Sequence, residues 1–192
     1  MKDTVIVNLS NRHIHLSQQD LETLFGEGYQ LKKIKDLLQP GQFAAEECVK
    51  LVGPKGEFPK VRILGPTRNQ TQCEIMYSDA FVLGIEPPAV KESGDLKGSS
   101  PMTIVGPKGK LELKEGLIIA KRHIHLDPKT AEEMGLKDKQ VVSVEVGVEG
   151  RKTIYKDVVI RVKDSFLPEC HLDFDEGSAA SVKNGDIIKV IK

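Results

Sequence analysis

Thr4-Val5-Ile6-Val7-Asn8-Leu9 is rich in β-branched residues and predicts a strand near the start of the chain. It runs almost at once into Arg12-His13-Ile14-His15-Leu16. If the strand pattern continues, alternation puts His13 and His15 on one face and turns Ile14 and Leu16 toward a core. The period then changes. Ser17-Gln18-Gln19-Asp20 has the spacing of a capping box with Asp in place of Glu, and Leu21, Leu24 and Phe25 follow at helical intervals before Gly26, so a short helix is expected over 18–25. The same five letters return as Arg122-His123-Ile124-His125-Leu126, followed by Asp127 as N-cap, Pro128 at the first helical position, and Ala131 to Met134 running to Gly135. The repeat is therefore a whole unit of strand, histidine pair, short helix and glycine, which implies two related halves facing each other.

Between the copies the pattern is β-dominated. Glu47 to Val52 and Val61 to Leu64 flank Gly53-Pro54-Lys55-Gly56, while Pro101 to Val105 and Leu111 to Leu113 flank a second Gly-Pro-Lys-Gly at 106–109, so two hairpins are expected. Glu74 to Tyr77 and Ala80 to Leu83 read as further short strands. Leu38-Gln39-Pro40-Gly41-Gln42 has no periodicity and reads as a connector. After the second helix, Gly135 to Val144 resembles Ser181 to Val190: each is a polar turn launching a β-branched strand, the latter through Asn184-Gly185. Many short strands with regular turn punctuation, and no βαβ rhythm, predict a mainly β fold of small barrels capped by short helices.

Composition narrows the function classes. Lys plus Arg and Asp plus Glu number 28 each, so no bulk field favours nucleic acid or an anionic membrane. No run approaches the length of a spanning helix, and three cysteines, Cys48, Cys73 and Cys170, without C-x-x-C spacing argue against a disulfide framework and for a reducing compartment. Histidine is the telling residue: four of the five lie in the two RHIHL copies.

Two histidines on one face of a strand have Cα atoms about 6.5–7 Å apart, close enough for both imidazoles to reach one ion. The fifth, His171, stands in Glu169-Cys170-His171-Leu172-Asp173-Phe174-Asp175-Glu176. It is either a further ligand or a structural histidine, with Asp173 and Asp175 expected on its strand face. Two ions with three ligands each need one donor more than the histidines supply, and a carboxylate is the natural addition. Glu74 is the preferred candidate, closing the polar run Pro66 to Glu74 that contains Arg68, whose planar guanidinium suits phosphate. The residues alone equally allow Arg68 as a surface charge and Glu74 as a solvated one.

Four separated stretches in order, Asn11 with the first RHIHL, Arg68-Asn69-Gln70-Thr71-Gln72-Cys73-Glu74, the second RHIHL with Asp127-Pro128, and His171-Leu172-Asp173-Phe174-Asp175-Glu176, resemble the PduL-type phosphotransacylases. These are phosphate propanoyltransferases acting on short acyl-CoA thioesters, and the resemblance covers essentially the whole chain. It implies exchange of acyl-CoA and inorganic phosphate for acyl phosphate and coenzyme A at two Zn2+ ions held between two β-barrels. By position, His13, His15 and Glu74 would hold the first zinc, whose open site takes the CoA sulfur. His123, His125 and His171 would hold the second, which keeps several waters, and Arg68 would hold phosphate. The family further implies that 1–11 with 120–192 makes one barrel and 12–119 the other, that a lid near 36–48 brings Gln39, Pro40 and Gly41 over the site, and that the chain is a homodimer serving propanediol degradation. Members that enter microcompartments carry an N-terminal extension, whereas the strand here begins by Thr4, so a cytoplasmic form is expected.

Phosphate mainly needs positioning against the thioester carbonyl, so direct attack is expected, with Cys73 and Cys170 packed in the core. No G-x-G-x-x-G or Walker loop is present for the nucleotide of CoA; the polar loop containing Ser93 and Gly94 is the candidate, through backbone N–H groups. Two other readings stand beside this one. A cupin-like metalloenzyme needs Glu four or five residues beyond the second His, where the copies have Gln19 and Asp20, and Lys129 and Thr130. A non-catalytic metal-binding or sensory module would bind zinc without turnover.

Overall fold

The structure, a computed structural model, describes residues 3–192. The chain divides into two compact units, the described part of Met1–Asn11 with Lys121–Lys192 as one and Arg12–Ala120 as the other. It is mainly β: each unit is a closed barrel of six strands, and four short helices complete the described residues.

β1 (Thr4–Ser10) belongs to the first unit. The second unit then follows without interruption as β2 (His13–His15), α1 (Gln18–Phe25), β3 (Lys33–Asp36), β4 (Phe43–Val52), β5 (Glu57–Gly65), β6 (Gln72–Glu74), α2 (Tyr77–Leu83), β7 (Val90–Lys91), β8 (Ser100–Val105) and β9 (Lys110–Ala120). Its ring runs β4-β5-β2-β6-β9-β8 and back to β4, with β3 and β7 attached to β4 and β9. Parallel pairs β2 with β5 and β6 with β9 alternate with antiparallel ones. The ring is internally repeated, because β2-α1-β4-β5 and β6-α2-β8-β9 trace the same path. Both Gly-Pro-Lys-Gly segments make the expected hairpin turns and dock on helix ends: Lys55 N–H donates to Leu83 O at 3.1 Å and Lys108 N–H to Leu24 O at 2.9 Å. A Cβ at Gly53 would lie 2.3 Å from Leu83 O and one at Gly106 2.6 Å from Leu24 O, so the approach itself requires glycine.

The first unit resumes with β10 (His123–Leu126), α3 (Pro128–Met134), β11 (Val141–Val146), β12 (Thr153–Val162), β13 (Glu169–Asp173), α4 (Phe174–Ala180) and β14 (Ile187–Ile191). Its ring is β1-β13-β10-β12-β11-β14. Pair for pair this is the order of the other barrel, with β10 standing for β2, β13 for β6, and β1 in the place of β9. The N-terminal strand thus fills a position that the second unit fills with its last strand. Asn184 secures it by accepting from Leu9 N–H at 2.6 Å.

Two expectations are corrected. The apolar stretch at 74–83 is not two strands: after β6 the chain forms α2, because Asp79 accepts from Met76 N–H at 3.1 Å as a first-turn cap, Ala80 and Leu83 bury one face, and Gly84 ends the helix in the left-handed region. Parallel pairs also occur without a βαβ rhythm: the crossovers from β2 to β5, β6 to β9 and β10 to β12 each consist of a short helix and a hairpin arm, and β1 pairs with β13 although the whole Arg12–Ala120 unit lies between them in sequence. The predicted helices do form. Ser17 caps α1 by accepting from Asp20 N–H, and Asp127 caps α3 by accepting from Thr130 N–H. The reciprocal arm at Ser17 runs through Thr71, whose hydroxyl accepts from Ser17 N–H and donates to Asp20.

Candidate metal centres

In the Arg12–Ala120 barrel, β2 lies between β5 and β6, and its antiparallel register sets His13 opposite Glu74 and His15 opposite Gln72. Ile14 and Leu16 are fully buried on the core side, so the histidine face is fixed by packing. His13, His15 and Glu74 bring one donor atom each within 4.8 Å of one another. His13 Nε2 is 3.4 Å from Glu74 Oε2. His15 Nδ1 lies 3.2 Å from the Leu64 carbonyl, which can only accept, so Nδ1 carries the proton and Nε2 is left as a donor to a cation. Burial, reinforced by His13 and Arg68, pushes the His15 imidazole down to about 3, which keeps it neutral. Burial would raise the Glu74 carboxyl, but the charge and hydrogen bond of His13, with His15 and Arg68, hold it well below the usual range.

Gln72 donates to Glu74 Oε1 at 2.5 Å and to Ser93 Oγ at 2.8 Å, while its own oxygen accepts from Gly94 N–H at 2.8 Å. Arg68 Nη1 donates to Ser93 Oγ at 3.1 Å, and its backbone N–H donates to Leu16 O at 2.9 Å, so the guanidinium is held at the histidine strand. A cavity of about 310 Å3 is lined by His15, Pro40, Gly41, Gly65 and Arg68 among others. Gln39 is buried at the same loop. The loop between β3 and β4 is therefore a wall of this cavity and not the plain connector its composition predicts.

In the other barrel, β10 lies between β12 and β13, with His123 opposite His171 and His125 opposite Glu169. His123, His125 and His171 again bring one donor atom each within 4.8 Å. His123 Nδ1 lies 2.8 Å from Lys121 O, which leaves Nε2 for a cation. Both nitrogens of His125 and Nε2 of His171 are buried without a hydrogen-bond partner. A buried imidazole nitrogen left without a partner is costly unless a cation meets it, and these donor sets, one atom from each residue, fit a borderline divalent ion. Burial, with His171 and His123, drives His125 down to about 2. Phe166 stacks on its ring at 4.0 Å between centroids.

Asp173 shares the strand face of His171 as the last residue of β13, but its carboxylate is turned to capping, and Asp175 lies off the strand. Asp173 ends β13 and caps α4, accepting from Glu176 N–H at 2.9 Å, and burial raises its carboxyl to about 6; Asp175 lies in the first turn of α4. The acid beside His171 is Glu169, which sequence reasoning missed, as it missed Gln72. Their signal was positional: each stands two residues before the third donor, and strand alternation puts it on the donor's face. A second pair was also missed. Arg12 donates to Asp79 at 2.6 Å with its guanidinium 4.1 Å from the Phe58 ring, and Arg122 donates to Glu176 with its guanidinium 4.7 Å from the Tyr155 ring. The arginine of each RHIHL thus ties the histidine strand to the helix following the third donor. Cys73 and Cys170 are fully buried, and burial raises both thiols far above their ordinary range.

A model of the phosphate propanoyltransferase family matches residues 6–183. The phosphate propanoyltransferase of Thermotoga maritima is 53% identical over 188 residues, covering 98% of this chain and 89% of that protein. That of Clostridioides difficile is 48% identical over 186 residues, covering 97% and 88%. That of Lachnoclostridium phytofermentans is 50% identical over 188 residues, covering 97% and 87%.

Proposed function

Because this chain belongs to the phosphate propanoyltransferase family, we propose that it converts a short acyl-CoA and inorganic phosphate into acyl phosphate and coenzyme A by direct phosphate attack, with zinc at each histidine centre. The observation that carries this reading is the pair of three-donor clusters, His13, His15 and Glu74 in one barrel and His123, His125 and His171 in the other. The ions held there would supply a soft partner for the departing thiolate and Lewis-acid polarisation of the carbonyl.

The chain's own residues do the rest. Arg68 offers a planar fork to phosphate oxygens beside a cavity of about 310 Å3, and its tether to Leu16 holds that fork at the histidine strand. Ser93 bridges Arg68 and Glu74, so it couples the phosphate fork to the first centre. Gly94 spends its N–H on Gln72 and acts by fixing Ser93 in place. Gln39, Pro40 and Gly41 wall the cavity and keep water from a phosphate positioned for attack. A phosphate oxygen forms the new bond to the carbonyl carbon, the C–S bond breaks, and CoA leaves as thiolate. No protein nucleophile enters, and the fully buried thiols of Cys73 and Cys170 are unsuited to be one.

The test is zinc analysis beside thiol release from acetyl-, propanoyl- and butanoyl-CoA, with and without phosphate. Two bound equivalents and phosphate-dependent release are expected, and both equivalents should disappear in the double variant His13→Ala, His123→Ala. Thiol release that ignores phosphate, or a trapped acyl group on Cys73 or Cys170, would overturn it.

A further inference from the structure

The centres differ in where their acid stands. At His13 and His15 the third donor is Glu74 and the residue two places earlier is the neutral Gln72; at His123 and His125 the third donor is His171 and the residue two places earlier is Glu169. Glu169 is only 1% exposed. It sits opposite His125 in the register, and its Oε2 lies 3.1 Å from His171 Nε2. That contact lacks hydrogen-bond alignment, since His171 Nε2 has no hydrogen-bond partner. The other carboxylate oxygen accepts from Asn8 Nδ2 at 2.7 Å, and Asn8 itself pairs with His171 across β1 and β13. A buried carboxylate is strongly unfavourable unless charge compensates it. Imidazoles that ligate through a lone pair bring no charge of their own, whereas a divalent cation between them does.

We propose that Glu169 is an auxiliary residue of the all-histidine centre: buried beside His171 and opposite His125, it supplies the negative charge that raises the affinity of this centre for a divalent cation. Asn8 in turn fixes the carboxylate. The inference rests on the two-metal reading above and deepens it, giving each centre one carboxylate, as donor in one barrel and as flank in the other.

The experiment titrates zinc-loaded full-length protein with a chromophoric chelator, assigning the two equivalents by the one that His13→Ala or His123→Ala removes. Glu169→Gln keeps shape and removes charge. It should weaken by about 10–100-fold the equivalent that His123→Ala removes, and leave the other unchanged. Asn8→Ala should weaken the same equivalent by less. A purely structural role predicts equal weakening of both or of neither, and either result overturns the proposal. If Glu169→Gln does not fold, Asn8→Ala decides alone: selective weakening supports the proposal and unchanged affinity sinks it. Wild-type protein that binds no zinc overturns the two-metal reading as well, whereas two equivalents indifferent to Glu169→Gln overturn this inference only.

Discussion

In one barrel the strand bearing the third donor reads Gln72-Cys73-Glu74; in the other it reads Glu169-Cys170-His171. The middle cysteine is fully buried in both, and the outer residues share the donor face of their strands. Around them the frame is the same: histidine strand between a parallel and an antiparallel neighbour, arginine before it bound to an acid on the helix after the third donor, an aromatic ring under the guanidinium. Only the chemistry on the donor side of the frame differs. A duplicated scaffold can therefore hold two centres of different character by moving one acid two residues along a strand, because that step preserves the face.

The largest effect should come from removing the acid where it is a donor. Glu74→Ala should lose the ion of its own centre and lower turnover by about 10³-fold, or about 4 kcal/mol, as read by thiol release beside metal analysis. An unchanged zinc content would remove Glu74 from the ligand set. Next is the core behind each histidine pair: Ile14→Ala and Ile124→Ala, both at fully buried positions, should each cost about 2–5 kcal/mol in denaturant unfolding. Similar costs would mark the frames as equivalent, and a large disparity would break the comparison. Arg68→Ala should cost about 1.5–3 kcal/mol in kcat/KM for phosphate, without loss of zinc.

The two arginine tethers should differ. The Asp79 side chain is 2% exposed and that of Glu176 19%, so Asp79→Ala should destabilise by about 1–3 kcal/mol and Glu176→Ala by less, in thermal unfolding. A further prediction concerns pH. Unfolded His15 and His125 take up a proton near 6.5, but folded they resist it down to about 3 and about 2 because burial opposes the charge. Over that window the unfolded chain holds more protons, so stability rises with pH. Chelated protein should therefore lose stability steadily as pH falls below 6.5, and an unfolding midpoint flat across that range would contradict the burial of both rings.

Much of the local architecture was legible. Alternation in His13-Ile14-His15-Leu16 and the caps at Ser17 and Asp127 act over a few residues, and the structure reproduces them. The stretch at 74–83 misled because apolar content was read without its cap: Asp79 and Gly84 were the relevant signals, and they are local too. Asp173 misled for the same reason, since a strand face and a helix cap look alike until the strand's end is known.

Asn8 and Glu169, 161 residues apart, were beyond such reading. What the sequence by itself determined was the repeated strand and helix unit and its four paired histidines, because side-chain period and capping are properties of adjacent residues. The residues left Glu74 and His171 open as third donors, and the family resemblance named them and grouped 1–11 with 120–192; only the tertiary structure set Gln72 beside Glu74 and Glu169 beside His171, and the register of β1 on β13 and β14 in the ring of the first unit. Strand register settles such matters, and it comes from closing a barrel over a shared core, which no short window of residues contains.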